Sequence, residues 1–65
     1  MNFVSILSSF IGRTVEVVVP GSMYEGTLTV VQISFIQVQE PPIVYSQPVT
    51  VTIPTTNIDY VRILV

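Results

Sequence analysis

The chain has 65 residues, of which 49% are hydrophobic and only 9% charged, for a net charge of −2. One domain is all this length supports, and it buries only about 60% of the surface its unfolded form exposes. Two arginines cannot build the basic stripe that a phosphate backbone needs, and without lysine, histidine, cysteine or tryptophan there is no disulfide framework and no thiolate zinc site.

So much apolar surface on so short a chain needs cover. The longest unbroken apolar run is three residues, far below the ~18 of a spanning helix. No transmembrane segment is therefore expected. The start, M-N-F-V-S-I-L-S-S-F-I-G, has no basic residue ahead of its apolar part and no small-residue cleavage site. It does not read as a secretory signal, so synthesis in the cytoplasm is expected. Self-association is left as the outlet for the surplus.

Residues 2–11 read as a short amphipathic helix. Phe3, Ile6, Leu7, Phe10 and Ile11 form one stripe and Ser5, Ser8 and Ser9 the other side. Asn2 is the expected N-cap, and Gly12 the expected left-handed residue after the helix. Such a short helix is unstable alone in water and reads as a cap over the open end of a barrel, the alternative being a membrane-surface anchor, whose polar face would lack Lys and Arg.

Three extended runs come next, at about 13–19, 23–32 and 34–39. Val15, Val17 and Val19 alternate with Thr14, Glu16 and Val18, the period of a strand. Pro20-Gly21 predicts a type II turn and hence a hairpin. The returning strand should turn Tyr24, Gly26, Leu28 and Val30 to one face, and Met23, Glu25, Thr27, Thr29 and Val31 to the other. Gly26 inside a strand is expected only where the chain bends or another backbone comes close. The third run puts Ile36 and Val38 on one face and Phe35, Gln37 and Gln39 on the other.

Glu40–Pro48, with prolines at 41, 42 and 48, breaks the pattern. Ile43, Val44 and Tyr45 make it an apolar loop. It reads either as a lid on its own protomer or as an interface arm on a neighbour. Val49, Val51 and Ile53 mark a fourth strand at about 48–53, and Thr55-Thr56-Asn57 a turn. The last strand, at about 58–65, is apolar on both faces apart from Asp59 and Arg62. Terminal strands lie at sheet edges, which are normally blunted by charge or proline. This one is hardly blunted, and expects the edge of another copy beside it.

One helix and five short strands with a glycine bend in the second resemble the Sm-like fold. The residues that carry the resemblance are Gly12, Val15, Val17, Gly26 and Leu28. The tail I-P-T-T-N-I-D-Y-V-R-I-L resembles the end of short Sm-like proteins of spore-forming Bacilli. The fold class expected is therefore mainly β: a short N-terminal α-helix and a five-stranded, strongly bent antiparallel small barrel. The resemblance implies rings in which the fourth strand of one subunit pairs with the fifth of the next. Those positions put Val49, Val51, Ile53, Ile58, Tyr60, Val61, Arg62 and Ile63 at a subunit interface, with Tyr60, Val61 and Ile63 buried at the seam. RNA-binding members carry Asp and Asn where this chain has Gln32 and Ile36, and an Arg-Gly pair where it has Ile53-Pro54. Their nucleotide pocket does not carry over.

No base is at hand for the serines and no histidine for proton transfer, so neither catalysis nor a cofactor is expected. Glu16 and Glu25 face each other across the predicted hairpin, either as solvated strand carboxylates or around a cation. The expectation is a non-enzymatic structural protein whose partner is itself, in a ring or fibre with a spore setting. The alternatives are an Sm-type RNA ring, and a small-molecule or peptide module with a pocket lined by Gln37 and Tyr45.

Overall fold

The computed structural model describes residues 2–42 and 47–64. The order is a helix α1 (Phe3–Ser8), strands β1 (Thr14–Val19), β2 (Ser22–Val31), β3 (Phe35–Glu40) and β4 (Val49–Pro54), one 3₁₀ turn (Thr55–Asn57), and β5 (Tyr60–Ile63). All five strands form one antiparallel sheet in the order β4-β3-β2-β1-β5. The sheet is open: β4 and β5 are its outer strands, and no ladder joins them among the described residues.

Asn2 caps α1 as expected, its Oδ1 accepting the Ser5 N–H at 2.8 Å. The helix is shorter than its apolar stripe. The N–H groups of Ser9, Phe10, Ile11 and Arg13 donate three residues back, Phe10 to the Leu7 carbonyl at 2.9 Å and Arg13 to that of Phe10 at 2.9 Å. These tighter turns run to Gly12, whose φ of +94° turns the chain into β1. The buried arc of α1 also differs from the predicted one. Leu7 is buried, with Val4 and Phe10 packed on the core, while Phe3, Ile6 and Ile11 stay about half exposed. Val4 and Phe10 lie one turn to either side of Leu7, so the face is centred on that residue rather than on the whole stripe.

Pro20-Gly21 closes the β1–β2 hairpin between the paired Val19 and Ser22. Gly21 has φ +76°, the value the third residue of a type II turn requires. The glycine in β2 also has its reason. A Cβ on Gly26 would overlap the Gln39 carbonyl oxygen and sit 2.9 Å from Val38 Cγ1. The backbone of β3 occupies the space that a side chain would need.

The faces of β2 hold only as far as Leu28. The β2–β3 register pairs Leu28 with Val38 but Val30 with Gln37, leaving Thr29 as a bulge. Its hydroxyl donates to the Gln37 carbonyl at 3.2 Å. An inserted residue shifts the alternation by one, so Val31 is buried and Val30 half-exposed, opposite to the expected assignment.

The core is Leu7, Val15, Val17, Leu28, Val31, Ile36, Val38 and Ile53, drawn from α1 and four strands. Burying each such side chain contributes about 1.5–3 kcal/mol. β5 adds Val61 and Ile63 only at the margin, half-buried against this cluster. It is also shorter than predicted. Ile58 and Asp59 precede it, their N–H groups held by the Thr55 carbonyl at 3.3 Å and the Val18 carbonyl at 2.8 Å.

Candidate functional site

The two outer strands carry the residues expected to form an interface, and the hydrogen bonds decide what each edge offers. In an antiparallel ladder a residue turns its N–H and C=O to the same neighbour, so alternate residues serve alternate sides. The Thr55 N–H donates to the Ser34 carbonyl at 3.0 Å. With the register of β3 and β4, this makes Ile36/Ile53, Val38/Val51 and Glu40/Val49 the mutually bonded pairs. The N–H and C=O groups of Thr50 and Thr52 therefore point outward. Pro54 is in the same phase, so its missing N–H costs the β3–β4 ladder nothing.

The opposite edge follows from the Leu64 N–H, which donates to the Thr14 carbonyl at 2.9 Å. With the β1–β5 register, Glu16/Arg62 and Val18/Tyr60 are the bonded pairs, and the backbone groups of Val61 and Ile63 point outward. The two edges thus differ in kind. On β4 the outward amides belong to residues with exposed side chains, Thr50 and Thr52. On β5 they belong to residues whose side chains face the core, Val61 and Ile63.

Several expected interface residues are placed accordingly. Val49 is 53% exposed and Tyr60 51%. Ile53 is buried in the core, and Val51, Ile58, Val61 and Ile63 are half-buried against it. The side chains of Val61 and Ile63, expected at the seam between subunits, are half-buried against their own protomer, while their backbone groups point outward. Ile43, Val44 and Tyr45 lie outside the described residues, and with Tyr45 the expected pocket wall beside Gln37. Gln37 instead donates through Nε2 to Thr52 Oγ1 at 3.2 Å on the solvent side.

The carboxylate pair is present as expected. Glu16 and Glu25 are opposite each other in register. The Leu28 N–H to Arg13 carbonyl bond, 3.0 Å, marks theirs as a pair without mutual backbone bonds, in which side chains lie closest. On the far side of Glu16, Arg62 Nη2 stands 3.5 Å from Oε1. Glu25, Glu16 and Arg62 thus run in one row across β2, β1 and β5, with Arg62 paired to Glu16. The Arg62 side chain is 61% exposed, so the pair itself contributes at most about 1 kcal/mol.

A groove of about 610 Å³ lies between α1 and the β4–β5 connection, a feature the sequence did not signal. Phe3, Val4, Ile33, Ile58 and Tyr60 form its apolar walls, and Asp59 is its one charged group. The β2–β3 turn is tied there by the Thr55 hydroxyl, which donates to the Ile33 carbonyl at 2.7 Å. Among the described residues, no helix is long and apolar enough to cross a membrane, and no three acidic side chains gather as a metal site. No protein-family model, curated protein or solved structure matches the chain.

Proposed function

We propose that the chain is a non-enzymatic, Sm-like structural protein that assembles by pairing the outer edge of β4 with the outer edge of β5 on the next copy. The observation that carries this reading is that both outer strands turn backbone donors and acceptors to solvent, Thr50 and Thr52 on one, Val61 and Ile63 on the other. The strand order supports the resemblance to the Sm fold, since it leaves the fourth and fifth strands as the two edges. Antiparallel pairing is the more stable per residue. It sets a residue whose side chain faces solvent opposite one whose side chain faces the core. The joined sheet must therefore inflect at each junction, the inner face of one protomer running into the outer face of the next. Two unlike edges give a head-to-tail contact, which closes as a ring or continues as a filament according to the rotation per step. The resemblance to Sm-like proteins of spore-forming Bacilli suggests a spore as the setting of this assembly.

Thr50→Pro is the direct test. It removes one outward N–H from β4 and leaves the bonds to β3 in place, whereas Thr50→Ala keeps the amide. The expected outcome, read by sedimentation or light scattering on a 7.2 kDa protomer, is the loss of species larger than a dimer in Thr50→Pro only. Assemblies of wild-type size in that variant, or a wild-type chain that never exceeds a dimer, would refute edge pairing.

A further inference from the structure

The exposed apolar residues are unevenly placed. Phe3, Ile6, Ile11, Ile33 and Tyr60 are each about half exposed or more, and Ile33 is 84% exposed. Three of them belong to α1 and the turns that follow it, and the other two wall the groove beside its first turn. This face of α1 is not the one that reaches the core through Val4, Leu7 and Phe10.

The charges at its two ends are opposite. Asp59 lies at the Phe3 end, in the groove, where its N–H donates to the Val18 carbonyl at 2.8 Å. Exposed Arg13 lies at the other end, just before β1, where the Gly12 N–H donates to the Leu28 carbonyl at 2.8 Å. Arg13 directly follows the turns that trail α1, its N–H donating to the Phe10 carbonyl at 2.9 Å. The surface therefore reads acid, apolar strip, base.

Such a strip is complementary to itself when turned end for end. We infer that this face docks a second copy of the chain about a two-fold axis, helix against helix, with Asp59 of each copy against Arg13 of the other and Phe3, Ile6 and Tyr60 between them. In an isologous contact every such pair occurs twice. The apolar strip supplies the area and the two ion pairs set the antiparallel direction. The contact does not depend on edge pairing. Where both operate, it joins two strand-paired layers back to back.

The test is a charge-swap cycle in the full chain carrying Thr50→Pro, read by sedimentation equilibrium at low salt. That chain is expected to be a dimer of twice 7.2 kDa at micromolar concentration. Arg13→Asp alone and Asp59→Arg alone each turn two attractions into two repulsions, and should weaken the dimer about tenfold or more. Together they should restore it. Ile6→Asp, at an exposed position that leaves the core intact, should abolish it. The same cycle in the wild-type chain should halve the assembly mass for each single variant and return it for the double. A monomeric Thr50→Pro chain, single swaps without effect, or a double swap no better than either single would overturn the inference.

Discussion

Of the three glycines, Gly26 is the least open to change. At Gly12 and Gly21 an added Cβ meets nothing within 4 Å, and the obstacle is only the positive φ. At Gly26 the obstacle is the backbone of β3, which cannot turn aside as a side chain can. Overpacking of this kind costs about 1–3 kcal/mol, and a domain this size holds only about 3–10 kcal/mol in all. Gly26→Ala should therefore lose about 2 kcal/mol or more in urea denaturation, and Gly21→Ala about 1 kcal/mol from φ strain alone. Equal losses at the two sites would mean that the close approach of β3 to β2 is relieved at no cost. Glycine in a strand was enough to mark the place, because the residue has no other use there.

At the scale of elements, the bulge at Thr29 decides which valine of β2 belongs to the core. Val31→Ala should cost about 2 kcal/mol and Val30→Ala less than about 1 kcal/mol in the same denaturation experiment. The reverse order would place the bulge elsewhere. The strands, the hairpin turn at Pro20-Gly21 and the cap at Asn2 were legible in the sequence, because each depends on near neighbours: a period of two, a fixed proline φ, a side-chain oxygen three residues from its donor. The bulge was not legible, because it belongs to a pairing and shows in the register of β3 rather than in β2. The face of α1 was misread for a related reason. Phe3, Ile6, Leu7, Phe10 and Ile11 make a good stripe on paper, but where a six-residue helix docks decides which part of the stripe is covered. The last strand was read as too long: Ile58 and Asp59 alternate like strand residues, yet the Ile58 N–H is bonded to the Thr55 carbonyl within the turn, and Asp59, though its N–H reaches the Val18 carbonyl, precedes the paired residues of β5. As for the candidate edges, side-chain pattern marked the last strand, and the resemblance to the Sm-like fold added the fourth. The direction of each amide follows only from the ladder on the other side.

For the whole molecule, the outward groups of β4 and β5 make the two sides of the sheet chemically different. Five strands is an odd number, so the alternation that starts with solvent-facing residues at one edge must end with core-facing residues at the other. An array built from such units is polarised: one terminus always presents Thr50 and Thr52, the other Val61 and Ile63. A Thr50→Pro protomer is damaged on one side only. It can still bind through its intact flank, and once bound it offers the next arrival a poorer surface. Mixed with wild-type chain, it should act as a terminator, shortening filaments or preventing ring closure when present as a small minority. Electron microscopy of such mixtures would show the mean length falling steeply with the first few per cent of variant, whereas a variant that merely failed to join would reduce it only in proportion to dilution.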